Sequence, residues 1–130
     1  MKEEIDYAMQ RLKEAVKTLK EGVLQSRDEL DKDGVIQRFE FTFELFWKTL
    51  KIFLEDKGIQ CNTPKDCLKS AFKIGIIEEE QLFLDMLEDR NKMSHIYDKE
   101  ESEKIFQKIK NNYFPQMEAC LDQLDQLEQK

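Results

Sequence analysis

Glycine and proline are scarce in this chain, four and two among 130 residues, and strict alternation of apolar and polar side chains is hard to find anywhere along it. A sheet protein with tight turns is thereby disfavoured, and the composition reads as helical. Long hydrophobic runs are also missing. Charge interrupts every apolar stretch within three or four residues, so no segment approaches the roughly 20 apolar residues that span a bilayer. The opening stretch, MKEEIDYAMQRLKEA, has no apolar core of the signal-peptide kind. A surplus of positive charge is lacking too: the formal net charge is −7, which argues against a broad basic surface that coats nucleic acid. Cys61, Cys67 and Cys120 are an odd number without C-x-x-C spacing or a neighbouring histidine, and the expectation is free thiols in a reducing cytoplasm. At this length one domain, residues 1–130, is expected.

What is present is periodicity. Ile5, Met9, Leu12, Val16, Leu19 and Val23 recur at spacings of three and four and predict a helix from Lys2 to about Gln25. The polar stretch SRDELDKDG follows, with Gly34 as the expected turning point. A second helix is expected from Val35 to about Asp56. Its stripe is Ile36, Phe39, Phe43, Phe46, Leu50 and Phe53, with Phe41, Leu45 and Ile52 on other faces, so it must be central or lie at a subunit interface. Thr63-Pro64-Lys65-Asp66 is a helix start, with a threonine cap and proline in the first turn, and this short third helix should end at Gly75. A fourth runs from Glu78 toward His95, and a fifth starts at Asp98, where Asp98 and Glu101 form a capping pair. Ile105, Ile109, Tyr113, Met117, Cys120, Leu124 and Leu127 carry the fifth helix onward through Pro115, which should kink it. The fold expected is all-α, an antiparallel bundle of about five helices, one of them short.

Within the fourth helix Phe83, Met86, Arg90, Met93 and Tyr97 follow helical spacing, which gives Arg90 a place in the apolar stripe. A guanidinium there needs a carboxylate, a backbone acceptor or a wet interface. His95, the only histidine, follows five residues later, about 140° away around an ideal helix. The two side chains act together only if the helix unwinds near Ser94, or if the arginine of one chain meets the histidine of a second across a two-fold axis. The plain alternative is that Arg90 pairs with a glutamate such as Glu44, His95 caps a helix end and Tyr97 packs.

The segment Arg90-Asn91-Lys92-Met93-Ser94-His95-Ile96-Tyr97 resembles the R-x4-H-x-Y signature of HEPN domains. DGVIQRFEFTFELFWKTLK resembles the second helix of the HEPN branch called nucleotidyltransferase substrate-binding proteins, and TPKDCLKSAFKIGII the segment after it. The resemblance covers residues 33–98 in order and spacing. It implies a helical bundle, usually a symmetric dimer, working with a minimal nucleotidyltransferase encoded nearby. It implies a ribonuclease that needs no metal or other cofactor, of the kind found in toxin–antitoxin pairs. Arg90 and His95 are then the catalytic candidates, Asn91 and Ser94 support them, and Tyr97 is the residue on which the partner places AMP. The other reading is a non-enzymatic subunit that presents a nucleotide or another substrate to that partner.

The chemistry of RNA cleavage suits these residue types. RNA brings its own nucleophile, the 2′-hydroxyl, an imidazole titrates near neutrality, and a guanidinium stays charged beside the phosphate. Other chemistries fit less well. The chain has no G-x-x-x-x-G-K-[ST] loop and no Gly-Ser motif followed by paired aspartates. Glu29 to Glu40, ELDKDGVIQRFE, places Asp31, Asp33, Gly34, Ile36 and Glu40 as a calcium-binding EF-hand loop would, yet it begins with Glu, and its second half has helical periodicity.

Overall fold

The computed structural model describes residues 2–93 and 98–129. The helices are α1 (Lys2–Gln25), α2 (Glu29–Asp56), α3 (Pro64–Lys73), α4 (Glu80–Lys92), α5 (Lys99–Lys108) and α6 (Phe114–Glu128). A π-helical turn, Ile109–Tyr113, joins α5 to α6 without a break. The α5–α6 rod is the expected fifth helix, so the all-α bundle of four long helices and one short one is what the chain forms.

Cross-helix contacts give the directions. Thr42 donates to the Ala15 carbonyl and Arg38 to that of Thr18, so α2 runs antiparallel to α1. Lys13 pairs with Asp125 at 2.7 Å and Lys20 with Glu118 at 3.5 Å, which sets α6 antiparallel to α1. α4 returns along α2, with Phe83 stacked on Phe46 (centroids 5.3 Å apart) and Arg90 beside Glu44. α2 touches α1, α3, α4 and α5 and is the central element. All six members of its expected stripe are buried, whereas Phe41 is 56% exposed.

Local signals set most helix ends. Thr63 Oγ1 accepts from the Asp66 N–H at 3.1 Å, and Asp98 Oδ1 from that of Glu101 at 2.8 Å. α3 stops just before Gly75, whose φ of +84° is one that side-chain-bearing residues rarely adopt. Two expectations are corrected. The turn between α1 and α2 does not lie at Gly34: α2 begins six residues earlier than Val35, at Glu29. The reason is a reciprocal cap, in which Asp28 accepts from the Asp31 N–H at 2.8 Å and Asp31 accepts from the Arg27 N–H at 3.0 Å. Gly34 is therefore helical, and the stretch from Glu29 to Glu40 has no calcium-loop shape. The second correction concerns the thiols. Cys61 and Cys67 form a disulfide, their Cα atoms 5.3 Å apart, packed with Leu54, Trp47 and Ile59. The chain doubles back between α2 and α3, a proximity in space that sequence spacing does not reveal. Cys120 is the free thiol among the described residues; burial pushes its pKa up to about 12, which makes it a poor nucleophile.

Pro115 does not end its helix. It has no N–H for a carbonyl one turn back and its ring crowds that carbonyl; the π turn just before it supplies the room, with the Phe114 N–H reaching back five residues to the Ile109 carbonyl.

Candidate functional site

Arg90 lies in the last turn of α4, where the negative end of the helix dipole favours a cation. Its Nη2 donates to Glu44 Oε2 on α2, and its Nη1 to Asn91 Oδ1 at 3.3 Å. Glu44 also holds Lys48 at 3.3 Å, so one carboxylate serves two cations. The Arg90 and Glu44 side chains remain 32% and 31% exposed: this is a rim pair, open to a ligand. The plain expectation for Arg90, a partner at Glu44, is what the structure shows. Its place in the apolar stripe is corrected. The neighbouring Asp89, 9% exposed, takes the buried position, because Tyr113 and Lys108 of the α5–α6 rod supply the hydrogen bonds a buried carboxylate needs, and Arg90 is left at the edge.

Of the other candidates, Asn91 is exposed beside Arg90. Ser94, His95 and Tyr97 lie outside the described residues. Met93 and Asp98, which flank that segment, line one side of a pocket of about 580 Å³ between the starts of α2 and α5. Five acidic side chains line it, among them Asp33 and Glu103, against Lys32 and Lys99. Lys32 is held by Glu103 at 2.6 Å and Lys99 by Glu29 at 3.4 Å, while Lys92 pairs with Glu88 at 3.0 Å. Each of these described cations thus already has a carboxylate.

Burial alone would raise the pKa of Glu44. The adjacent Trp47 indole, whose Nε1 lacks a partner of good geometry, together with Lys48 and Arg90, outweighs burial and holds the carboxyl below its ordinary value of 4.5. A depressed pKa stabilises the fold above the ordinary value, and that stabilisation is lost as pH falls through the folded value. For so exposed a pair the effect is at most about 1 kcal/mol. Denaturant titrations of the wild type and Glu44→Gln should therefore differ by up to that amount at neutral pH and converge once the pH has fallen below the folded value. An unchanged difference at acid pH would assign it to something other than Glu44 ionisation.

The arginine could not have been tied to Glu44 by spacing alone, although Glu44 was visible as a polar residue on an otherwise apolar helix. Asp89 is not a site candidate on spacing, and Tyr113 reads only as a member of the fifth-helix stripe, yet the two are hydrogen-bonded. The available signal was that Asp89 also falls on the Phe83–Met86–Met93 stripe.

Fold and rim together define a helical bundle that carries a part-exposed arginine in the last turn of its fourth helix, beside a pocket between the starts of α2 and α5. The chain belongs to the family described as nucleotidyltransferase substrate binding protein like, whose model matches residues 3–126, within the HEPN group. It is 31% identical over 101 residues to a Haemophilus influenzae protein named "Probable ribonuclease HepT", covering 74% of this chain and 68% of that one. A crystal structure from Thermus thermophilus is similar with a TM-score of 0.77 at 32% identity, covering 92% of this chain and 99% of the other. A second structure, from Haemophilus influenzae and described as showing the fold of a substrate binding domain of a nucleotidyltransferase, shares the fold at 24% identity, with a TM-score of 0.69 over 96% and 99% of the two chains. Among the described residues no helix is long and apolar enough to cross a membrane.

Proposed function

We propose that this chain is a single-domain, homodimeric HEPN endoribonuclease of the toxin–antitoxin type, working in the cytoplasm with a minimal nucleotidyltransferase encoded nearby. The observation that carries the reading is Arg90 itself. Its guanidinium sits on the rim next to the segment that holds His95, part exposed and held by Glu44, and it has five donors in a fixed fork suited to a phosphate. In the proposed reaction His95 takes the proton of an RNA 2′-hydroxyl, and that oxygen attacks the adjacent phosphorus. Arg90 stabilises the charge on the phosphorane. The histidine of the second copy protonates the departing 5′-oxygen, leaving a 2′,3′-cyclic phosphate and a 5′-hydroxyl. Asn91 and Ser94 support the pair. The exposed strip of α2 around Phe41, next to Glu44, offers surface for the two-fold contact.

Purified protein incubated with single-stranded RNA and excess chelator should give cyclic-phosphate ends and should run as a dimer in light scattering at micromolar concentration. Intact RNA, or a monomer, would count against the reading. Tyr97 is the proposed acceptor of AMP from the partner. Attachment would put a bulky anion beside Arg90 and silence the site. After co-expression with an active partner, the Tyr97 peptide should gain the mass of AMP, and Tyr97→Phe should not.

The second reading, a nucleotide- or substrate-binding subunit without cleavage activity, is favoured by the carboxylates that hold the described cations near the motif and so compete with an RNA phosphate. It predicts no RNA cleavage by the purified chain, together with faster transfer by the partner when the chain is present.

A further inference from the structure

Asp89 is the one buried charged side chain among the described residues, and it directly precedes Arg90. Its Oδ2 accepts a hydrogen bond from the Tyr113 hydroxyl and another from Lys108 Nζ at 3.3 Å. Tyr113 is itself fixed from two sides. Its ring stacks on Phe39 with centroids 5.6 Å apart, and its backbone belongs to the π turn that Pro115 imposes. An aliphatic side chain would fill position 89 of the stripe at lower cost, because a buried carboxylate must have its solvation replaced bond by bond. What the carboxylate adds is direction, since a short polar bond fixes the angle of a helix turn as apolar contact does not. The bonded turn is the one from which Arg90 projects.

We infer that Asp89 and Tyr113 are positioning residues for Arg90: their buried bond clamps the last turn of α4 to the α5–α6 rod and thereby sets where the guanidinium points. The inference rests on the ribonuclease reading only for its kinetic consequence. Burial and the Asp89 hydrogen bond raise the Tyr113 pKa well above the ordinary phenol value, so the hydroxyl stays a donor throughout the working pH range.

The test pairs Tyr113→Phe, which keeps the ring and removes the donor, with the double variant Asp89→Leu/Tyr113→Phe. The double variant removes the Asp89 carboxylate and the Tyr113 hydroxyl together and leaves the half-exposed Lys108 ammonium to water, a change that costs little stability. The readouts are thermal stability, hydrogen exchange at the amides of residues 89–93, the Arg90 Nε–H resonance, and kcat and KM for RNA. Expected in both variants are amide exchange faster by about tenfold, a displaced Arg90 resonance, and kcat lowered by about tenfold or more with little change in KM, as small misplacements of a catalytic group produce. The double variant should show this at wild-type melting temperature, which a merely structural role would not. An unmoved resonance and wild-type exchange in the folded double variant would overturn the clamp, whatever the melting temperature of Tyr113→Phe. If the wild type cuts no RNA but the resonance and exchange respond, the clamp stands and the ribonuclease reading fails; if the wild type cuts and the double variant matches it in kcat and resonance, the reverse holds.

Discussion

Replacing His95 with alanine is expected to lower RNA cleavage by about 10²–10⁴-fold, the usual contribution of a positioned general base or acid, and Arg90→Ala by about 10²–10³-fold through loss of charge stabilisation at the phosphorane. These losses can be separated from unfolding by size. Removing Arg90 breaks a rim ion pair whose members are each about a third exposed. Such a pair contributes at most about 1 kcal/mol, or a melting shift of about 4 °C in a chain of this length. A protein so little destabilised remains folded at assay temperature, so a hundredfold loss of rate reports on chemistry. Arg90→Lys should recover little, because an ammonium lacks the forked donors. If both alanine variants cut RNA at the wild-type rate, the motif is not the site, and the subunit reading takes its place.

The largest stability effect is expected at Phe46. It is fully buried at the centre of α2, stacked on Phe83 and within 6.5 Å of the Phe43 ring. It therefore joins the α2 and α4 faces of the core. Phe46→Ala removes a ring from a site enclosed by helices that cannot close over the gap, at a cost of about 3–5 kcal/mol, a large part of the roughly 5–15 kcal/mol that holds an ordinary domain together. Urea titration should show the midpoint falling with the slope unchanged. A loss below about 1 kcal/mol would mean that α2 is not the central helix. The exposed Phe41, one and a half turns earlier, provides the internal comparison. In the monomer its truncation should cost little, and in the proposed dimer it should weaken association.

The sequence by itself determined whatever depends on neighbours within about one turn. The α1 stripe, the Thr63 and Asp98 caps and the stop before Gly75 are such cases, because a cap bond or a spacing of three or four is complete within a few residues. The spacing of Arg90 and His95 along the chain is legible for the same reason, and the family match rests on the same ordered string of residues. Where two local choices were nearly equal, only the tertiary structure decided. Gly34 reads as a turn in the sequence, but it is helical in the fold: the Asp28 cap starts α2 earlier, and Val35 packs against Gly22 of α1, a contact so close that a Cβ on Gly22 would meet Val35 Cγ2 at 3.2 Å. Asp89 and Arg90 competed for one place in the α4 stripe, and the position of Tyr113, on a different rod, settled which charge went inside. The Cys61–Cys67 bond likewise exists because the connection after α2 folds back onto α3, and the Glu44–Arg90 pair, named from the sequence as one option, forms because α2 and α4 dock side by side. That docking minimises voids over the whole core at once, and no short window of residues contains it.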